Sequence, residues 1–100
     1  MVLGLVERAK GGDAAAQFEL GQRYAAGNGV PQDPARAVEW YRKAAEAGHT
    51  AAQVQLAGCN ATGRGVPKDL KQAMFWQQKA IEGGYTVNQA FGALFRRRKR

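Results

Sequence analysis

One hundred residues, 45% of them apolar, make one small domain with enough hydrophobic material for an ordinary core. No apolar run approaches the roughly 18 residues of a membrane span, and the single Cys59 excludes both an internal disulfide framework and a cysteine-built zinc site within one chain. The net charge of +7 suggests a nucleic-acid partner until it is located: five cations fill positions 96–100, and residues 1–95 balance ten basic against eight acidic side chains.

The opening MVLGLVERAKGG offers only Val2 to Val6 before Glu7, too short for a signal-peptide core. As written the chain reads as cytoplasmic; a removed leader would make it periplasmic or secreted. The first long helix is predicted from about Ala14 to Ala26, with Asp13 as N-cap and Gly27 just past the end. Ala16, Leu20, Gly21 and Tyr24 share one side of it at helical spacing. A loop, GNGVPQDP, follows at 27–34, and Asp33 with Pro34 opens a second helix whose Ala37, Trp40, Tyr41 and Ala44 form an apolar stripe. A third helix starts at Thr50, where Thr50 and Gln53 have capping-box spacing, and ends before Gly63. The loop then recurs as GRGVPKDL at 63–70, and a fourth helix capped by Asp69 carries Ala73, Trp76, Gln77 and Ala80.

The recurrence extends well beyond the loop. Residues 13–48 laid on 49–84 agree at sixteen of thirty-six positions, among them Gln17/Gln53, Leu20/Leu56, Asp33/Asp69, Trp40/Trp76 and Lys43/Lys79. A period in the thirties predicts stacked helical hairpins, each loop being one hairpin turn. The fold class is therefore all-α, an α/α superhelix of antiparallel hairpins. It contains a half repeat at 1–12, repeats at 13–48 and 49–84 and a partial repeat at 85–95, followed by a basic tail at 96–100. In the partial repeat Gln89 matches Gln53, but Gly92 replaces the expected leucine.

The order Ala-Gln-x-x-Leu-Gly-x-x-Tyr-x-x-Gly-x-Gly-Val-Pro-x-Asp-x-x-x-Ala-x-x-Trp-Tyr-x-x-Ala-Ala-x-x-Gly, read at Ala16 to Gly48, resembles the Sel-one-like repeat, a longer-looped relative of the tetratricopeptide repeat. The second unit departs from it at Ala57, Asn60 and Gln77, where the first has Gly21, Tyr24 and Tyr41, and a thinner, looser second hairpin is expected. The resemblance implies adaptor or scaffold work, often in bacterial envelope, secretion or host-contact settings. It also implies a concave wall built from first helices that holds a peptide or protein.

With Leu20 at the centre of the buried side, Ala15, Phe18, Gln22 and Ala25 fall on the opposite side, and Ala51, Val54, Gly58 and Ala61 are their copies. Phe18, Gln22, Ala25, Val54, Gly58 and Ala61 are the candidate partner-binding residues, with Phe18 the one large anchor. Serine is absent, His49 and Cys59 are separated by roughly 15 Å of helical rise, and the carboxylates divide into caps and scattered surface positions. No catalytic, cofactor-binding or metal-binding residue is expected, and the glycine loops lack the ending of a phosphate cradle. The tail, Arg96, Arg97, Arg98, Lys99 and Arg100, reads as a solvated run, with nucleic acid or an acidic membrane surface as the alternative partner. Phe91, Leu94 and Phe95 at one end, and Leu3, Leu5 and Val6 at the other, suggest homo-oligomerisation through the half repeats.

Overall fold

A computed structural model describes residues 2–84, the Val2 side chain excepted. Five helices follow one another: α1 (Val2–Lys10), α2 (Ala14–Ala26), α3 (Pro34–Glu46), α4 (Thr50–Thr62) and α5 (Leu70–Glu82). The described residues contain no strand. Each helix packs on the next, α1 on α2, α2 on α3, α3 on α4 and α4 on α5, so the chain is an all-α helical-repeat solenoid. The partial repeat at 85–95 and the tail at 96–100 lie outside the described residues.

Helix starts follow the short polar residues. The carboxylates of Asp13, Asp33 and Asp69 accept the amide hydrogens of Ala16, Arg36 and Gln72 at 3.2, 3.1 and 3.1 Å. The start of α4 differs from expectation. Thr50 makes no capping box; His49 is the cap, and its Nδ1 accepts the Ala52 amide at 3.2 Å. The reason is register: His49 stands where Asp13 stands one repeat earlier. Gln53 is turned inward, and its amide donates to the Ala45 carbonyl at 3.0 Å rather than folding back over the helix start.

That inward turn is the joint between units. Gln17 makes the same bond to the Ala9 carbonyl, also at 3.0 Å. In both cases a buried amide adds a second hydrogen bond to a carbonyl in the last turn of the preceding helix, which also accepts the Gly12 or Gly48 amide at 3.1 and 3.0 Å. The paired Ala-Gln of the two repeats is thus an inter-hairpin clamp.

Alanines dominate the interfaces and let the helices approach closely. Ala9, Ala16, Leu5 and Leu20 form one buried cluster under a half-buried Trp40, while a second gathers Ala37, Val38, Tyr41, Ala44, Ala45, Ala52, Leu56, Ala57 and Trp76. Leu20 and Leu56 are the largest fully buried side chains; each contributes roughly 1.5–3 kcal/mol by leaving water. Leu5 is 4% exposed and Val6 half-buried against this packing, so neither is free to meet another chain as expected; Leu3 alone of that trio is exposed.

The helices of the second hairpin meet along their length as those of the first do, although α5 buries only Ala73, Trp76 and Ala80. Gly21 lies under the Tyr41 ring, where an added Cβ would come within 2.7 Å of Cδ1 and Cε1. The second unit changes both partners together, to Ala57 and Gln77, so a methyl occupies space the ring has vacated. Tyr24 and its replacement Asn60 each offer a backbone carbonyl to the aspartate that opens the next helix, Asp33 and Asp69, at 2.8 Å.

The loop between α4 and α5 does more than reverse the chain. Gly65 has φ +80°, and a Cβ there would run into the Pro34 carbonyl oxygen and reach 3.0 Å from Val38 Cγ2. Arg64, beside it, donates from Nη2 to the Ala25 carbonyl at 3.2 Å. This loop therefore rests on the start of α3 and the end of α2, both in the preceding repeat.

Candidate functional site

The two first helices, α2 and α4, border a shallow furrow. One end is a depression of about 490 Å³ lined by Ala15, Phe18, Glu19, Gln22, Arg23, Ala26, Asn28 and His49. The other, of about 390 Å³, is lined by Ala25, Ala26, Gln32, Tyr41, Gln55, Cys59 and Arg64. Ala26 borders both, so the two depressions adjoin there.

Phe18 anchors the furrow from below as much as it faces it. Its ring stacks on His49 with centroids 4.8 Å apart and an interplanar angle of 29°, and tilts against Tyr41 at 5.8 Å. This contact ties α2 to α3 and to the start of α4, and such aromatic pairs contribute about 0.5–1.5 kcal/mol beyond their buried area. His49 is held in turn by its cap bond, whose acceptance at Nδ1 places the ring proton on Nε2. The expected anchor residue is therefore half core and half surface.

Around this aromatic floor stand polar side chains. Arg23 is paired with Glu19 at 3.0 Å across one helical turn. Gln32 donates to the Ala25 carbonyl at 2.9 Å, joining Arg64 on the same oxygen near the end of α2. A cation there also complements the negative end of the helix dipole. Gln22, Asn28 and Gln55 are exposed on the furrow and supply amides that can both donate and accept. Burial pushes the Tyr41 phenol above its ordinary value, with Cys59 adding to the rise and Arg64 opposing it. Burial likewise raises the Cys59 thiol, again against Arg64, so this free cysteine is a poor nucleophile. Among the described residues no group of three His, Cys, Asp or Glu side chains could hold a metal ion.

Three of the expected partner-binding residues border the furrow: Phe18 and Gln22 at one end, Ala25 at the other. Val54, Gly58 and Ala61 border neither depression. The side of α4 that meets the furrow carries Gln55 and Cys59, one position along and therefore about 100° round the helix. A furrow between two first helices takes the trailing flank of one and the leading flank of the next, so equivalent positions do not line it twice. His49, Asn28, Gln32, Tyr41 and Arg64 also border the furrow and come from caps, loops and the second helix. The signal that could have found His49 was its alignment with Asp13, a cap. Arg96, Arg97, Arg98, Lys99 and Arg100 lie outside the described residues.

Comparison with known proteins agrees with this architecture. The Sel1 repeat family model matches residues 14–49 and 50–85, one residue along from the units read from the internal period. Over 40 residues the chain is 45% identical to the secretory immunoglobulin A-binding protein EsiB of Escherichia coli O6:H1, a match covering 40% of this chain and 8% of that one. Among solved structures, a Sel1 repeat protein from Oxalobacter formigenes superposes with a TM-score of 0.80 at 38% identity, covering 87% of this chain and 35% of the other. The protective antigen c5321 of uropathogenic E. coli, described as displaying an SLR fold, gives 0.82 at 38% identity over 95% of this chain and 21% of that one. Helicobacter pylori cysteine rich protein B gives 0.79 at 27% identity, covering 81% and 61%. The chain thus spans between 8% and 61% of the lengths of these relatives.

Proposed function

Because the chain belongs to the Sel1 repeat family, whose repeats are protein–protein interaction modules, we propose that it is a non-catalytic adaptor or scaffold holding an extended peptide or protein segment in the α2–α4 furrow. The observation that carries this reading is that the two depressions adjoin at Ala26. Adjoining depressions with small residues between them and amides at their edges suit a backbone with its own unpaired donors and acceptors. Gln22, Asn28 and Gln55 would meet main-chain groups, and the Phe18, His49 and Tyr41 rings would take an apolar side chain. A scaffold alone does not name its ligand, so the segment's sequence would be set by the few side chains facing it.

The test is selection of binding peptides from a displayed random library, followed by affinity measurement on the wild type and on Ala26→Arg. Ala26 is exposed at the end of α2, so the arginine leaves the fold intact while obstructing the passage between the depressions. The expected result is loss of binding by about tenfold or more, comparable to a removed hot spot. Peptides that bind the obstructed variant as tightly as the wild type would show that the furrow is not the site.

A further inference from the structure

We propose that the outer face of α5 joins two copies of this chain in an antiparallel α5–α5 contact. Leu70, Met74, Gln77 and Ile81 follow one another at i, i+4, i+7 and i+11 and so share one narrow stripe. All four are exposed, Leu70 at 57%, Met74 at 69% and Ile81 at 40%. Their equivalents one repeat earlier are Pro34, Val38, Tyr41 and Ala45, and on α3 the last three are buried in the cluster that α4 completes. The stripe on α5 is therefore built as a helix-receiving face, and among the described residues nothing covers it.

The sequence argues against the chain's own continuation as its cover. Read in the repeat's register, residues 88 and 92 take the places of Ala52 and Leu56, both 0% exposed, and they are Asn88 and Gly92. Gln89 keeps the place of Gln53, but an amide and an absent side chain supply less apolar contact than the methyl and isobutyl groups they replace on α4.

Charge selects the second copy and its direction. Lys71 and Glu82 are exposed and lie on the same flank of the stripe, near its opposite ends. A two-fold axis across an antiparallel pair sets Leu70 opposite Ile81 of the other copy, and at both ends brings Lys71 beside Glu82. In a parallel pair the two-fold axis runs along the helices and carries this flank to opposite sides of the contact, so neither charge would meet its counterpart. The remaining lysine of this helix, Lys79, reaches back over the Phe75 ring at 5.9 Å, away from the stripe. A helix of this length offers a face about 20 Å long and about 10 Å wide. That is below the roughly 800 Å² per partner of a standard interface, so pairing is weak and dependent on concentration. Pairing would present two furrows on one particle, and a partner carrying two segments would gain avidity.

Sedimentation equilibrium from about 1 µM to about 500 µM decides the matter on the intact chain and on four variants. Those are Met74→Glu, Lys71→Glu, Glu82→Lys, and the last two combined. Met74 and both charges are exposed, and circular dichroism verifies each fold. The expected pattern is a wild-type dimer, a monomer for Met74→Glu, several-fold weaker pairing for each single reversal, and recovery when both charges are exchanged. A wild-type monomer throughout, or self-association indifferent to Met74→Glu, would overturn the proposal; single reversals that cannot be rescued by the exchange would overturn its antiparallel geometry.

Discussion

Gly21→Ala is the most discriminating single change in the first hairpin. In an exposed helix, replacing glycine by alanine stabilises by about 1 kcal/mol. Here the new Cβ would lie 2.7 Å from two carbons of the Tyr41 ring and 3.2 Å from the Ala37 carbonyl oxygen. The ring is buried in the central cluster and tilted against Phe18, so it cannot swing aside freely. Overpacking of this kind costs about 1–3 kcal/mol, leaving a net loss of up to about 2 kcal/mol, or several degrees in Tm for a domain of this size. In the Tyr41→Gln background the obstruction is gone and the pair matches Ala57 and Gln77 of the second repeat. There the same Gly21→Ala change should stabilise by about 1 kcal/mol. Urea and thermal denaturation of the four proteins of this double-mutant cycle measure the coupling directly. If Gly21→Ala stabilises equally in both backgrounds, the reading of Gly21 and Tyr41 as one packing unit is wrong.

Gln17→Ala and Gln53→Ala should each destabilise by about 1 kcal/mol, because each removes a buried hydrogen bond between hairpins while the Gly12 and Gly48 amides stay on the Ala9 and Ala45 carbonyls; equal shifts in urea midpoint would show that the clamp is the same device at both joints. His49→Ala should lose about 1 kcal/mol of cap stabilisation, whereas His49→Asp, restoring the residue type found at position 13, should regain it while removing the ring stacked on Phe18. The pH response follows from the raised Tyr41 and Cys59 groups. Both lose their protons more readily in the unfolded chain, so stability is intact below the ordinary thiol range and falls as pH rises through the ordinary thiol and phenol values. A Tm series from neutral to about pH 10.5 should show this decline, with its onset displaced upward in Cys59→Ala; superimposable curves would contradict it.

The period of 36 was readable because the repeat writes its constraints in unusual residues: an aspartate before each second helix, a glycine after each first helix, and Val-Pro between them. Those constraints are local, and local rules locate caps and turns. What could not be read is where two helices of different units meet. Gln53 obeys a capping-box spacing and is nonetheless drawn to Ala45, because a buried carbonyl in the preceding helix competes for its amide. Val54, Gly58 and Ala61 copy positions that border the furrow on α2, yet the furrow's other border is the next flank of α4. The stripe on α5 was hidden for a related reason: Leu70, Met74 and Ile81 look like core residues until the helix that would cover them is sought.

The seating of Gly65 on the start of α3 changes what counts as a transplantable unit. A segment cut at the period's own boundaries, 13–48, would leave Pro34 and Val38 without the loop that rests on them, and would strand the Ala25 carbonyl from Arg64. The mechanically complete piece is offset by half a turn of the pattern, from Asp33 through α3 and α4 to Val66, carrying its own joint inside it. Arrays lengthened by inserting that piece should inherit the parent's pitch, while length changes within the six-residue loop 63–68 should act on the angle between neighbouring units rather than on either hairpin.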